Sequence, residues 1–156
     1  MTINYRRFRM CSLNDVIAFF LATPVDDDVS NAITPMKLQK LLYYAQGFSL
    51  ALLNRELFKE DFEAWQYGPV IPSVYQKFKQ YENGAIPSCP LSPSTLTKFT
   101  DDERQLLDDI YTAFGQYSAW ALSEMTHKTP PWKNAKPKEI ISKAKMKEYF
   151  LTQIEK

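Results

Sequence analysis

The segment from Thr34 to Asn54, "TPMKLQKLLYYAQGFSLALLN", carries the strongest helix signal in the chain. Thr34 is a good N-cap, and Pro35 fits the first helical position, where its missing N–H costs nothing. Apolar and small residues recur at steps of three and four and predict a buried face of about five turns. The members of this face are Leu38, Leu41, Leu42, Ala45, Phe48, Ser49, Leu52 and Leu53.

Three residues of this segment do not belong to its apolar face. Gly47 lowers helix propensity by about 1 kcal/mol relative to Ala, and its presence indicates close packing against another backbone. Tyr43 and Tyr44 lie partly off the face. They are the residues of this helix most free to contact a partner, although tyrosines beside a core are common.

Capping signals place the other helices. Ser12 with Asp15 starts a helix that Pro24 ends, and the capping box "TDDE" over residues 100–103 starts another. The alternation in Phe62–Gln66 predicts a short strand, with Gly68-Pro69 as a turn. The sequence therefore predicts a mainly α, compact single domain of about six helices with a small β-hairpin or short strand region near residues 57–71. The helices are expected near residues 12–23, 34–53, 73–82, 100–115, 118–125 and 138–154.

Composition indicates a globular protein and excludes several classes. The chain has 156 residues and a net charge of +1, without the basic excess of a nucleic-acid binder. Three arginines near the N-terminus, the acidic run Asp26–Asp28 and the lysines of residues 133–147 are interpreted as solvated charge. Neither a signal peptide nor an apolar run long enough to span a bilayer is apparent, so a cytoplasmic protein is expected. Aromatic residues make up 14% of the chain, a surplus that suits interfaces as well as cores.

Catalytic chemistry finds little support in the residues. His127 is the one histidine, and Cys11 and Cys89 lie outside any paired motif. Neither a glycine-rich phosphate loop nor a metal-binding motif is present. The sequence predicts no catalytic residue, no metal and no cofactor. A hydrolase that uses His127 with Cys89 or a serine stays open as an alternative.

Three motifs together resemble the Panacea domain, the SocA-like antitoxin and phage-associated family. The first is "KLQKLLYYAQG" at residues 37–47, and the second is "EAWQYGPVIPSVY" at residues 63–75. The third is "LSEMTH" at residues 122–127, followed by Pro131-Trp132. The similarity covers roughly residues 12–136. The whole chain, 1–156, is therefore identified as a single Panacea domain with a Lys-rich C-terminal helix over residues 138–155.

This resemblance implies the antitoxin of a type II toxin–antitoxin pair. Such a protein binds its cognate toxin directly or delivers it to a protease, and no catalytic role comes with the motifs. The open alternative is a phage or prophage host-takeover protein without a toxin partner. Neither a nucleic-acid nor a membrane partner is expected, and the sequence does not set the oligomeric state. The predicted partner-binding residues are Tyr43, Tyr44, Gln46, Trp65, Tyr67, Tyr75, His127 and Trp132.

The run "WQYGPVIPSVYQKFKQY", residues 65–81, combines turn residues with aromatic residues that no turn requires. Gly68, Pro69 and Pro72 have structural roles in a turn and at a helix start. We expect Trp65 to be mostly in the core, and at least one of Tyr67 and Tyr75 to be accessible.

Overall fold

The computed structural model of the chain describes residues 11–22 and 32–154. The predicted stop at Pro24, the acidic run Asp26–Asp28 and the N-terminal arginines lie outside the described residues. The described part is mainly helical with one small sheet, as predicted. Its helices are α1 Leu13–Leu21, α2 Pro35–Phe48, α3 Pro72–Phe78, α4 Pro93–Leu96, α5 Asp101–Phe114, α6 Ala119–His127, α7 Pro130–Lys133 and α8 Lys143–Leu151.

Side-chain caps begin the principal helices where the sequence predicted them. The Ser12 hydroxyl accepts from the Asp15 backbone N–H, and the Asp15 carboxylate accepts from the Ser12 N–H, which makes a full capping box at α1. Thr34 caps α2, and Thr100 with Glu103 forms the box of α5. These caps satisfy N–H groups that a helix start leaves unbonded, so local sequence is enough to fix them.

The long central helix changes its winding near its end. After Phe48 the chain continues as a π-helical turn, Ser49–Leu53, and Asn54 ends it in the left-handed region at φ 55°. A π turn holds more residues than an α turn, which rotates the following side chains around the axis. Leu52, predicted to be buried, is 52% exposed for this reason.

Three short strands form an antiparallel sheet in the order β2–β1–β3, with β1 Phe62–Trp65, β2 Gly68–Val70 and β3 Ile140–Ile141. Trp65 pairs with Gly68, so residues 66 and 67 make the turn. The predicted strand at Phe62 is confirmed, but the prediction of Gly68-Pro69 as the turn is wrong. The turn therefore lies two residues before the predicted position, and Gly68 begins β2 at φ 116°, a conformation that favours glycine.

The C-terminal region is not one helix from residue 138. Lys138 has φ 63°, and its N–H donates to the Ala64 carbonyl at 2.6 Å. This contact brings β3 alongside β1, and Ser142 then caps α8. Two predicted loops also contain a helical turn each, α4 and α7, because each has Pro in its first turn.

Helix α2 lies at the centre of the fold. It contacts α1, α3, α5, α6, α8 and β2. Eleven consecutive residues of α2, Lys37–Gly47, are buried, so the helix has no solvent face along this stretch. The buried apolar side chains of the described residues form a cluster whose members come from positions between Cys11 and Phe150 in the sequence. That the chain, 1–156, is a single domain stays a prediction from the sequence.

Gly47 of α2 is covered by an aromatic ring of α8. A Cβ built on Gly47 would lie 2.1 Å from the Phe150 ring. Phe150 is fully buried and packs edge-on against the rings of Tyr43, Tyr44 and Phe48, so its ring has no room to move away. The close approach expected at Gly47 exists, but it is made by a side chain and not by another backbone.

We predict that Gly47→Ala destabilises the fold by about 1–3 kcal/mol, the usual cost of overpacking a core. Helix propensity alone predicts a gain of about 1 kcal/mol, the opposite sign. Urea denaturation gives the free energy of unfolding. In a Phe150→Leu background the same substitution should cost less, because the ring is absent. A stabilised Gly47→Ala protein would contradict the packing.

Candidate functional site

The eight predicted partner-binding residues separate into two groups. Tyr43, Tyr44 and Gln46 lie on α2 and are buried, with exposed fractions of 0%, 5% and 0%. The remaining five lie around the β1–β2 hairpin or beside it and are at least partly accessible: Trp65, Tyr67, Tyr75, His127 and Trp132.

The side-chain amide of each glutamine of α2 both donates to a backbone carbonyl and accepts from a backbone N–H of another segment. Gln46 donates to the Phe58 carbonyl at 2.7 Å and accepts from the Leu57 N–H at 2.7 Å. Gln39 donates to the Ile71 carbonyl at 3.1 Å and accepts from the Ile71 N–H at 2.9 Å. Buried polar groups require such partners. Gln46 is therefore a structural residue that holds the chain between the π turn and β1.

Two buried lysines of α2 also bond to backbone carbonyls. Lys37 Nζ donates to the Gly115 carbonyl at the end of α5, and Lys40 Nζ donates to the Pro69 carbonyl of β2 at 3.1 Å. Burial lowers the pKa of Lys40 from 10.5 to about 7, since a low-dielectric site disfavours the charged form. Together, Gln39 and Lys40 fix the β2 side of the hairpin to α2.

Tyr43 and Tyr44 form part of an aromatic core. The Tyr43 hydroxyl bonds with the Thr129 hydroxyl at 2.9 Å, and Tyr44 stacks on Phe114 with ring centroids 4.0 Å apart. Burial raises the pKa of both phenols well above the usual value. These rings have almost no exposed surface, because Phe114 of α5 and Phe150 of α8 pack against them. The expectation that they are free to face a partner is not met.

A groove of about 970 Å³ lies beside the hairpin. The start of α2, the hairpin, the turn after α3 and residues 132–138 form its walls. Four aromatic residues line it: Trp65, Tyr67, Tyr75 and Trp132. Tyr67 and Tyr75 are 47% and 42% exposed, so the prediction of at least one accessible tyrosine is confirmed. Trp65 is half-buried and not mostly in the core.

The groove aromatics are held by one another and by the backbone. Trp65 packs against Tyr75 with ring centroids 5.1 Å apart. The Trp132 indole N–H donates to the Trp65 carbonyl at 2.8 Å. The His127 ring stacks on the Trp132 ring with the ring centroids 4.2 Å apart. His127 therefore supports the position of Trp132. These contacts make the aromatic wall a preorganised surface.

The structure adds one exposed aromatic residue to this region. Trp120 is 61% exposed, and its ring lies 6.4 Å from that of Tyr67. The Ser123 hydroxyl, one turn further along α6, donates to the Tyr67 carbonyl at 2.6 Å. The sequence did contain a signal for Trp120. It lies two positions before the core residue Leu122, about 200° around the helix, which indicates that it faces away from the core.

The cysteine and histidine side chains lie in different surroundings, and Cys89, which the hydrolase alternative pairs with His127, is exposed. Cys11 is buried, its thiol donates to the Leu57 carbonyl, and burial raises its pKa from 9.0 to about 12. His127 Nε2 is buried and has no hydrogen-bond partner among the described residues. Within residues 11–22 and 32–154, no three His, Cys, Asp or Glu side chains cluster as a metal site would require.

Among the described helices, none is both long enough and apolar enough to cross a bilayer.

Comparison with known proteins gives one consistent result. A family model described as antitoxin SocA-like, Panacea domain, matches residues 38–133. Antitoxin SocA of Caulobacter vibrioides (strain NA1000 / CB15N) is 32% identical over 120 residues, which cover 71% of this chain and 62% of that relative. The chain thus spans less than two thirds of the relative's length. No solved structure matches the chain.

We predict that Lys40 makes stability rise with pH between pH 7 and 8.5. The unfolded chain binds the Lys40 proton in this range and the folded chain largely does not, so the free energy of unfolding increases with pH. The rise should be on the order of 1–2 kcal/mol. Urea denaturation should show a flatter profile in Lys40→Met. The exposed control Lys128→Met should keep the wild-type slope, and an equal slope in Lys40→Met would contradict the assignment.

The range stops at pH 8.5 because other buried groups act in the opposite direction above it. The raised pKa values of Cys11, Tyr43 and Tyr44 make the folded state lose stability as pH increases beyond about 9. Lys37 acts in the same direction as Lys40, because burial lowers its pKa too. Some slope therefore remains in Lys40→Met.

A second prediction concerns the two thiols. The exposed Cys89 should react with Ellman's reagent at pH 8 in the folded protein, whereas Cys11 should react only after unfolding. Burial keeps the reagent away from the Cys11 thiol, and the raised pKa keeps this thiol protonated, whereas the thiolate is the reactive form. Absorbance should report one fast thiol per chain, and none in Cys89→Ser. Two thiols that react equally fast would show that Cys11 is accessible.

Proposed function

This chain belongs to the antitoxin SocA-like, Panacea domain family, and we propose on that premise that it neutralises a cognate protein toxin by binding it directly. The proposed system is a type II pair, in which both members are proteins. The observation that supports direct binding is the aromatic groove beside the hairpin. It presents Tyr67 and Tyr75 to solvent on a wall that the fold holds in place.

Exposed aromatic rings on a rigid wall suit a protein interface. Trp and Tyr supply much of the binding energy at protein interfaces, especially in pockets that exclude water. A wall fixed before binding loses little conformational freedom when the partner arrives. The proposed contact residues are Trp65, Tyr67, Tyr75 and Trp132, with Trp120 at the edge and His127 behind Trp132.

Binding through this groove requires no chemical step by the chain. A bound toxin is inactive if the contact covers its active site, or if the complex is delivered to a protease. The groove fits both outcomes, because each begins with capture of the toxin. Tyr43, Tyr44 and Gln46 are proposed to act indirectly, since they hold the helix and loops on which the groove is built.

Co-expression in bacteria tests the proposed function. The product of the adjacent gene is produced from an inducible promoter with and without this chain, and colony formation is measured. We expect growth arrest by the neighbour alone and recovery with this chain. A neighbour that is harmless alone, or is not retained by the purified chain, would favour a host-takeover protein without a toxin partner.

We predict that Tyr67→Ala and Tyr75→Ala each weaken toxin binding by about 2 kcal/mol, or about 30-fold, as removal of an aromatic anchor does. Calorimetric titration measures the affinity. The control Tyr117→Ala removes a ring that is 40% exposed but does not line the groove. All three proteins should melt within a few degrees of the wild type. Equal loss in all three, or none, would place the interface elsewhere.

A further inference from the structure

The rim of the groove carries lysine side chains that form no ion pair with any described residue. Lys79, Lys133 and Lys138 are exposed and reach the rim from three different segments. Among the described residues, no carboxylate lies within ion-pair distance of their ammonium groups. Glu82 is the one acidic side chain among the described residues that line the groove. The rim therefore has a net positive charge.

The wall between these lysines offers apolar carbon surface. The Trp65 indole N–H already donates to the Glu63 carboxylate at 3.0 Å, and that of Trp132 donates to a backbone carbonyl. A molecule in the groove thus meets the ring faces rather than free indole donors. An aromatic wall inside a cationic rim is complementary to a ligand that is apolar at its centre and negatively charged around it.

We propose that the groove takes an acidic segment of the partner protein, one that inserts apolar side chains among the aromatic rings and sets Asp or Glu carboxylates against the three rim lysines. This inference rests on the proposed function, since it names the chemistry of the toxin surface that the groove recognises. Each rim pair is solvent-exposed and therefore modest in energy. Their joint effect is on the choice of partner and on the rate of association.

A protein segment fits this groove better than a nucleic acid does. The chain has a net charge of only +1, whereas nucleic-acid binding uses a track of many basic residues. The described lining contains no arginine, the residue that binds phosphate in a bidentate manner.

Fluorescence anisotropy with the full chain tests this inference. The probes are two fluorescein-labelled short peptides in which Leu and Phe are separated by Glu in one and by Lys in the other. We expect the acidic peptide to bind and to weaken as salt increases, because salt screens exposed charges. The basic peptide should not bind. Failure of the acidic peptide to bind, or equal binding of both, would overturn the proposal.

Charge reversal locates the contact. The triple variant Lys79→Glu/Lys133→Glu/Lys138→Glu should bind the acidic peptide about tenfold or more weakly. The matched control Lys59→Glu/Lys128→Glu/Lys145→Glu has the same net charge but leaves the groove unchanged. It should retain wild-type affinity within about twofold. Equal loss in both variants would indicate general attraction and overturn the proposal.

The same variants separate this inference from the proposed function. If the rim variant neutralises the co-expressed toxin as well as the wild type does, the proposal of an acidic toxin segment is wrong and the proposed antitoxin role stands. If the wild type fails to neutralise but binds the acidic peptide through the rim, the antitoxin role is wrong and the chemistry of the groove stands. Tighter binding of a single-stranded oligothymidylate than of the acidic peptide would overturn the groove proposal in favour of nucleic acid.

Discussion

Burial of α2 on every side over Lys37–Gly47 is the constraint on which the rest of the structure depends. A helix surrounded on all sides cannot leave polar side chains without partners, because each unsatisfied group would cost about 1–3 kcal/mol. This helix nevertheless contains buried Lys37, Gln39, Lys40 and Gln46. Each of them bonds to a backbone group of another segment. Lys37 bonds to the end of α5 and Lys40 to the Pro69 carbonyl. Gln39 bonds to both backbone groups of Ile71, and Gln46 bonds to the chain at residues 57–58. The buried polar side chains of α2 therefore hold several other segments of the chain in place.

The groove follows from these anchors. Gln39 and Lys40 hold β2, β2 pairs with β1, and β1 carries Trp65 into the wall. Gly68 is necessary at this point, since a side chain there would meet Thr126 Oγ1 at 2.6 Å and the Lys40 side chain at 2.8 Å. The residues that define the family motif on α2 and those that face solvent in the groove therefore belong to one arrangement, with the former inside and the latter outside.

Local features of this fold could be predicted from the sequence, and features that depend on distant contacts could not. Ser12, Thr34 and Thr100 begin helices through bonds within three residues of themselves, and pattern alone identified them. Strand β3 could not be predicted because two residues form a strand only when β1 lies beside them. The interior position of Tyr43 and Tyr44 was missed because α5 and α8, which cover them, lie far along the chain. In the groove, at least one accessible tyrosine was predicted and both are exposed, whereas Trp120 was not among the predicted partner-binding residues.

The contact between Gly47 and Phe150 has a consequence for the order in which the fold is completed. The two residues are about a hundred positions apart in the sequence, so a ribosome completes α2 long before it makes the ring that covers it. Until α8 emerges, the aromatic surface around Gly47 stays open and the anchoring helix is only partly enclosed. A nascent chain therefore cannot finish the interior around α2 until α8 has been synthesised. Cleavage that removes α8 would therefore expose the interior around α2, even though none of the residues that line the groove is lost.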